Sequence, residues 1–236
     1  MKGCNLVRLD VGYQVFEAKI LFFFIFLFAS LNLNAQTAES IIHQHLESSG
    51  GISKWKNLNS IILKGNATWS VEESFPLIIY HRRPYEKKVA FIINGKEILN
   101  EGYDGKNGWT FNEISGKNEK KPNYQPDSFE SDILDYQKKG FEAEYVGNEK
   151  VEGEECYKVI LTKFTNKTTY CFSVKDYSLL SEENKDEKLF YYNYKSFGGL
   201  QFATKTVGQP KDGGEYVISF SEILINPKID DKVFKF

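Results

Sequence analysis

The pattern of apolar and polar residues divides the chain into three parts. An unbroken apolar run, ILFFFIFLFASLNL, occupies residues 20–33 and follows Lys19. Between residues 37 and 49 apolar residues recur at helical spacing, and after Asn59 they recur mostly at every second position. This pattern predicts an apolar leader, an amphipathic helix and a long series of β-strands.

The helix is predicted from Thr37 to Ser49, TAESIIHQHLESS. Thr37 is a suitable N-cap, and the pair Gly50-Gly51 ends the helix because glycine accepts the backbone angles of a helix C-terminus. A short helical turn around Trp55 is expected before the first strand.

The pattern of the remaining residues predicts an antiparallel α+β domain of about eleven strands. A second helix is expected in DSFESDILDYQKKG, residues 127–140, where Gly140 would end it, and strands resume at Phe141. No long linker or internal repeat interrupts the pattern. The first five strand segments are SIILKGNATWS, PLIIYHRRP, EKKVAFIING, KEILNEGYD and NGWTFNE.

One hairpin can be predicted in register. If Thr165-Asn166 form its turn, Val159 lies opposite Phe172 and Leu161 opposite Tyr170, so all four share one face. The same register offsets Cys156 from Cys171 by four residues, roughly 13 Å at 3.3 Å per residue. A disulfide needs Cα atoms within about 7 Å, so two free thiols are predicted.

The segment EGYDGKNGWTFN, residues 101–112, presents a choice between a catalytic loop and a turn. Asp104-Gly105 and Asn107-Gly108 interrupt an alternating apolar pattern, as hairpin connections do. Asp104 has no catalytic partner nearby in the sequence. The segment is therefore interpreted as a turn.

The apolar leader has the form of a secretory signal peptide, residues 1–35, with cleavage between Ala35 and Gln36. Its apolar run of about 14 residues is short for a transmembrane helix, which needs about 20. Residues 36–236 would then be a single exported, periplasmic domain.

Charge argues against one class of partner. Removing residues 1–35 takes away three basic and two acidic residues, so the formal net charge moves from −2 to −3, with both signs scattered along the chain. Nucleic-acid binding needs a basic excess on one face, so no nucleic-acid partner is expected.

The sequence contains few candidates for catalysis. It has no Gly-x-Ser-x-Gly elbow, phosphate-binding glycine loop or His-Glu-x-x-His motif. His43 and His45 point about 200° apart around a helix, and His81 stands alone in a strand. No catalytic residue, metal site or cofactor is predicted, and an envelope hydrolase would rest only on abundant Asp and Glu.

A long sheet with one aromatic-rich face must cover that face, and two short helices cover little of it. Either the sheet closes and fills itself with side chains, or it stays open and leaves an apolar cavity beneath the helices. The sequence pattern leaves both alternatives open.

Several short motifs, taken in order, resemble the periplasmic lipoprotein-carrier (LolA-like) superfamily and in particular its outer-membrane lipoprotein-sorting members. They are SSGG after the helix, RRP at residues 82–84, YDGKNGWTFN, YVGNEKVEGEECYKVILT, FGGLQFATK and the terminal INPKIDDKVFKF. The superfamily often has Phe-Pro where this chain has Phe202-Ala203.

The resemblance implies an unclosed antiparallel half-barrel with a helical lid over an apolar cavity that takes acyl chains. It also implies that Arg83, or less plausibly Arg82, bonds the lid; a surface arginine pair is the alternative. A guanidinium suits this role because it offers five fixed donors and stays charged near apolar surface. The expected ligand-binding residues are Arg83, Trp69, Phe91, Trp109, Phe111, Val159, Leu161, Tyr170 and Phe172.

The function that follows is a monomeric, non-enzymatic periplasmic carrier or binder of acylated cargo, with lipoproteins sorted to the outer membrane as the expected cargo. Its partners would be acyl chains and, transiently, inner- and outer-membrane sorting proteins. The alternative is a lipid- or stress-sensing interaction module on the same fold.

Overall fold

The computed structural model describes residues 36–70, 73–124, 126, 129 and 131–236. The predicted signal peptide, residues 1–35, lies outside this part of the chain. Residues Thr37–Phe236 form one compact unit, which is described here by itself.

Two short helices precede the sheet: α1, Ala38–Ser48, and α2, Ile52–Lys56. The Thr37 hydroxyl accepts a hydrogen bond from the Ser40 backbone N–H at 3.1 Å and so caps α1. Gly50 and Gly51 follow with φ of 126° and 95°. The predicted helix and the helical turn at Trp55 are confirmed. Within the described residues, no helix combines the length and apolar character that crossing a bilayer requires.

The sheet is a single antiparallel layer of 13 strands in the order β6-β5-β4-β3-β2-β1-β13-β12-β11-β10-β9-β8-β7. Among the described strands, its two end strands, β6 and β7, are not paired with each other, so the sheet is unclosed. A 3-10 helix, Asp231–Phe234, follows it. The strands are β1 Ser60–Thr68, β2 Ser74–Arg82, β3 Glu86–Ile93, β4 Lys96–Tyr103, β5 Gly108–Asn112, β6 Lys117–Lys121, β7 Glu142–Val151, β8 Glu154–Lys163, β9 Asn166–Ser173, β10 Leu179–Glu183, β11 Glu187–Phe197, β12 Leu200–Pro210 and β13 Tyr216–Ile225.

The predicted open antiparallel sheet is confirmed, but the count of about eleven strands is wrong. Edge strand β6 has the sequence KNEKK, and all five residues are exposed. A strand without apolar residues has no alternation from which it could be predicted.

The predicted helix at residues 127–140 is also wrong where the structure describes it. Residues 132–140 form consecutive turns, and Asp135 has φ of 53°, which a right-handed helix excludes. Ile133 and Leu134 are nevertheless buried, at 2% and 4% exposure. The segment therefore contributes apolar side chains to the core, but its backbone is not the predicted helix.

The β8–β9 hairpin pairs two residues away from the predicted register. Val159 lies opposite Tyr170, and Leu161 opposite Thr168, because the turn is Phe164-Thr165 and not Thr165-Asn166. Phe164 takes φ of 55°, a conformation that sequence rules assign to Asn or Gly. A shift of two residues preserves the faces, so Val159, Leu161, Tyr170 and Phe172 still share one side.

The shifted register changes the surroundings of the two cysteines. Cys156 pairs with Ser173 and Cys171 with Lys158, so the cysteines are diagonal neighbours and their sulfur atoms lie within 4.8 Å of each other. Both thiols are free, as predicted, and both are buried. The prediction of free thiols was based on a separation of roughly 13 Å between Cys156 and Cys171, and that separation is wrong.

The segment between β4 and β5 is a turn, as the sequence indicated. Asp104 Oδ1 accepts hydrogen bonds from the backbone N–H groups of Lys106 and Asn107, and its Oδ2 accepts one from Trp109 Nε1 at 2.8 Å. Burial raises the pKa of Asp104, but these hydrogen bonds outweigh it and leave the pKa below its usual range. Asp104 therefore organises the hairpin as an ionised acceptor.

The two faces of the sheet are covered differently. On the face called here the α1 face, Ile41, Ile42 and Leu46 of α1 pack in one core cluster with Val159 and Phe172. On the opposite face, called here the tail face, the ring of Phe236 packs so closely on Gly102 that a Cβ there would lie 2.5 Å from it. The α1 face therefore carries the helices.

Candidate functional site

A cavity of about 300 Å³ lies on the α1 face between the helical segments and strands β10–β12, and is called here the helix–sheet cavity. Apolar side chains dominate its wall, in which polar groups are interspersed. Its lining residues are His45, Leu46, Ser49, Trp55, Leu58, Phe129, Ser131, Ile133, Leu134, Leu179, Glu182, Tyr191, Tyr194, Gln201, Phe202, Ala203 and Thr206.

One side of the cavity is closed by α2, which has no fully buried residue. Trp55, its largest side chain, meets the Phe202 ring edge-on with ring centroids 5.2 Å apart. The indole Nε1 donates to Ser49 Oγ at 2.9 Å, and Lys56 pairs with Asp135 at 2.9 Å. These few contacts hold α2 against the cavity.

Arg83 lies directly behind this wall. Its Nε donates to the Leu58 carbonyl at 2.6 Å and its Nη2 to the Trp55 carbonyl at 3.3 Å, while the guanidinium sits 4.8 Å from the centroid of the Phe129 ring. Cations favour the carbonyl-rich C-terminal end of a helix. Arg83 therefore bonds the backbone just after α2 and contacts three residues that line the cavity.

Arg82, its neighbour, points to other partners. Its Nε donates to Glu86 at 2.6 Å, its Nη1 to Asp231 at 2.8 Å, and its guanidinium lies 4.9 Å from the centroid of the Phe234 ring. The two arginines therefore bond different parts of the chain, and of the two only Arg83 lies beside the helix–sheet cavity.

His45 anchors the other side of the cavity. Its Nδ1 lies 2.8 Å from the Tyr177 carbonyl, so this nitrogen carries the proton, and its ring packs 4.8 Å from the Phe172 ring. Burial lowers the pKa of His45, although the carbonyl partially offsets this. The imidazole is therefore held neutral near physiological pH.

A half-buried carboxyl interrupts the apolar wall. The Tyr191 hydroxyl donates to Glu182 Oε2 at 3.1 Å, and both residues line the cavity. Burial raises the pKa of Glu182, and burial likewise raises the pKa of Tyr191. The pair places hydrogen-bonding groups where the rest of the wall is mostly apolar.

Four of the nine sequence-predicted site residues lie beneath α1. Val159, Leu161, Tyr170 and Phe172 are each at most 2% exposed, in the cluster formed with Ile41 and Ile42. At these four positions the face is filled, as the alternative of a packed core anticipated. They adjoin the cavity without lining it.

Trp69 and Phe91 belong to a separate aromatic group on the α1 face. With Phe75 they form a triangle whose ring centroids lie 5.6–6.4 Å apart, and Trp69 and Phe75 are 44% and 37% exposed. This group stands near the ends of β1 and β3, away from the residues that line the cavity.

Trp109 and Phe111 lie on the tail face. Trp109 pairs in register with Gly102 and its ring lies 6.2 Å from that of Phe236; Phe111, two residues further along β5, points the same way. The structure therefore does not bring the nine predicted residues together.

One group of possible metal ligands occurs among the described residues. Glu149, Cys156 and Cys171 have ligand atoms within 4.8 Å of one another. However, the Lys158 ammonium lies 2.7 Å from Glu149 Oε2, and burial raises the pKa of both thiols. Protonated thiols beside a lysine are poorly suited to binding a cation.

Glu182, Tyr191 and His45 were not among the residues predicted from sequence. Glu182 lies two residues before NKDEK, residues 184–188, a run of charges that is typical of a solvated loop. A strand irregularity between Leu179 and Ser181 turns Glu182 to the same face as Leu179, which simple alternation would not do. The sequence offers no signal for that irregularity.

No protein-family model matches this chain, and no curated protein matches it either. Several solved structures, however, are similar to this chain. A LolA superfamily protein from Nitrosomonas europaea is 14% identical with a TM-score of 0.56, over 86% of this chain and 99% of that one. A DUF1329 family protein from Desulfovibrio piger is 12% identical with a TM-score of 0.57, over 84% and 97%.

A putative outer membrane lipoprotein-sorting protein domain from Vibrio parahaemolyticus is 14% identical, with a TM-score of 0.55, over 82% of this chain and 94% of that one. Identities this low establish similarity of fold and nothing finer. The unclosed sheet and helical segments described above thus have the LolA-like fold, and the resemblance seen in the sequence motifs is confirmed at that level.

Proposed function

We propose that this protein is a non-enzymatic carrier or binder of acylated cargo, which holds hydrocarbon in the helix–sheet cavity. The observation that carries the proposal is the largely apolar cavity between an unclosed sheet and a weakly held helix. The LolA-like fold supports it, since one of the structural neighbours is a putative outer membrane lipoprotein-sorting protein domain.

The free-energy cost of exposing hydrocarbon to water explains why such a protein is needed. At about 0.8 kcal/mol per methylene, a chain of about 14 carbons costs on the order of 10 kcal/mol to keep exposed. An acylated molecule therefore needs a sheltering protein to cross an aqueous compartment.

We assign the role of lid to α2. The cavity of about 300 Å³ is at the small end of the range for ligand sites, so a long acyl chain requires it to widen. Gly50 and Gly51, at φ of 126° and 95°, precede α2 and provide a hinge. The contacts of Arg83 with the Trp55 and Leu58 carbonyls would keep the lid closed until cargo enters.

By contrast, α1 would remain in place. Ile41, Ile42 and Leu46 are each at most 8% exposed, and burying a side chain of this kind contributes about 1.5–3 kcal/mol. Lifting α1 would forfeit all three contributions, whereas swinging α2 forfeits those of Ile52 and Trp55, which are only half-buried. In this account Val159, Leu161, Tyr170 and Phe172 form the rigid base beside the cargo.

The remaining predicted residues have separate places in the proposal. Trp69 and Phe91 would meet a long chain only if it extends along the α1 face beyond the cavity. Trp109 and Phe111, on the tail face, would not touch it. The proposal also includes export through a cleaved signal peptide at residues 1–35 and a periplasmic location. We further propose that the protein is monomeric and makes transient contact with inner- and outer-membrane sorting proteins.

The proposal is tested by the lipid content of the natural protein. Protein purified gently from its host, without detergent, should release about one equivalent of lipid on organic extraction, detected by mass spectrometry. Protein that is free of lipid, and that also fails to bind a fluorescent fatty acid, would refute a carrier role.

A further inference from the structure

Glu182 is a carboxyl that the strand geometry turns into the helix–sheet cavity. It lies in β10 opposite Tyr170, and the register of β10 on β9 shifts between Leu179 and Ser181. Leu180 packs with the buried cysteines on the tail face, so regular alternation would send Glu182 there as well. The irregularity instead turns the Glu182 side chain toward the cavity on the α1 face, and β-bulges beside functional sites commonly redirect a side chain in this way.

Three other polar groups in the cavity wall are hydrogen-bonded to the backbone. His45 Nδ1 lies 2.8 Å from a backbone carbonyl, Ser49 Oγ donates to a backbone carbonyl at 3.1 Å, and Tyr194 Oη donates to one at 2.8 Å. Within the described residues, the Tyr191 hydroxyl is the hydrogen-bond partner of the Glu182 side chain. Glu182 thus retains hydrogen-bonding capacity toward the cavity.

The surroundings of Glu182 favour its protonated form. Burial raises its pKa; the Tyr191 hydroxyl lowers it in part, and the nearby carboxylates of Asp132 and Glu187 raise it again. Tyr170 on β9, Tyr194 on β11 and His45 on α1 are the other titratable groups on this side. A protonated carboxyl has one O–H to donate, and in an apolar wall that donor requires an acceptor.

We infer that the helix–sheet cavity recognises the carbonyl oxygen of an ester or amide that joins an acyl chain to its carrier, with Glu182 donating the hydrogen bond. This inference rests on the proposed function and specifies its ligand class: acyl chains with their linkage group, and not bare hydrocarbon. A site that offers a buried polar group discriminates against ligands that leave it unpaired.

The test compares three ligands of similar length: methyl decanoate, N-methyldecanamide and undecane. Each displaces a fluorescent fatty acid from the wild-type protein, from Glu182→Leu and from Glu182→Gln. Each dissociation constant is divided by the wild-type value for the same ligand, so that differences in ligand solubility cancel. Thermal melting verifies that both variants are folded.

We expect Glu182→Leu to weaken the ester and the amide about tenfold, with undecane unchanged or bound more tightly. Glu182→Gln should stay within about threefold of wild type for all three, because its amide N–H can still donate. In the wild type, raising the pH from 5 to 9 should weaken the ester and amide relative to undecane, since an ionised carboxylate only accepts hydrogen bonds.

Equal changes for ester and undecane in Glu182→Leu, or no pH effect on their ratio in the wild type, would overturn the inference while leaving hydrocarbon binding intact. Wild-type protein from which none of the three ligands displaces the probe would contradict the proposed function, and the inference with it.

Discussion

Replacing Ala203 with Trp should strongly weaken the binding of long acyl chains while the protein remains folded. Ala203 lines the helix–sheet cavity from β12, and an indole there would occupy much of a space of about 300 Å³. Excluding even four methylenes forfeits about 3 kcal/mol, so affinity for a fluorescent fatty acid should fall about a hundredfold. Overpacking should reduce stability by about 1–3 kcal/mol, which urea denaturation measures.

The matched control is Val146→Trp, which introduces the same side chain at a position that is 42% exposed on β7. It should leave fatty-acid affinity within about twofold of wild type. If Ala203→Trp binds as the wild type does and is equally stable, hydrocarbon does not enter this cavity.

Replacing Arg83 with Leu should make cargo enter faster and bind more tightly. The guanidinium donates to the Leu58 and Trp55 carbonyls and so stabilises the closed position of α2. Hydrogen bonds from a charged group contribute about 1.5–3 kcal/mol, and their loss would raise the open fraction about tenfold or more. Apparent affinity follows the population of the competent state, so it should rise by a similar factor, measured by stopped-flow and equilibrium fluorescence.

Arg82→Leu is a close control, because the neighbouring arginine bonds Glu86 and Asp231 instead of the lid. It should lower stability without altering the rate of cargo entry. An Arg83→Leu protein with wild-type entry rate and affinity would mean that Arg83 has no part in controlling the cavity.

The sequence predicted the antiparallel strands and the first helix because both depend on local pattern, whereas the open form of the sheet was expected from the family resemblance. Thr37, Gly50 and Gly51 mark the ends of α1 by their own backbone preferences, and alternation assigns most strands. It failed where residues other than glycine adopt a left-handed backbone conformation. Phe164 at φ 55° shifts a hairpin by two residues, and Asp135 at φ 53° prevents a helix.

The candidate site was only partly predictable for the same reason. Arg83 was found through its position beside proline in a family motif, and the structure places it against the carbonyls of Trp55 in α2 and of Leu58 just after it. The aromatic residues Trp109 and Phe111 were grouped with the site by composition, although register puts them on the tail face. Glu182 was missed because a single strand irregularity decides which face it occupies.

The central claim, that hydrocarbon occupies the space beneath α2, is tested most directly by photo-crosslinking with a fatty acid that carries a diazirine near its methyl end. After irradiation, peptide mass spectrometry should find the label on residues such as Trp55, Leu134 and Phe202, and an excess of unlabelled fatty acid should remove it. Competable labelling confined to the tail face, around Trp109, would contradict the account.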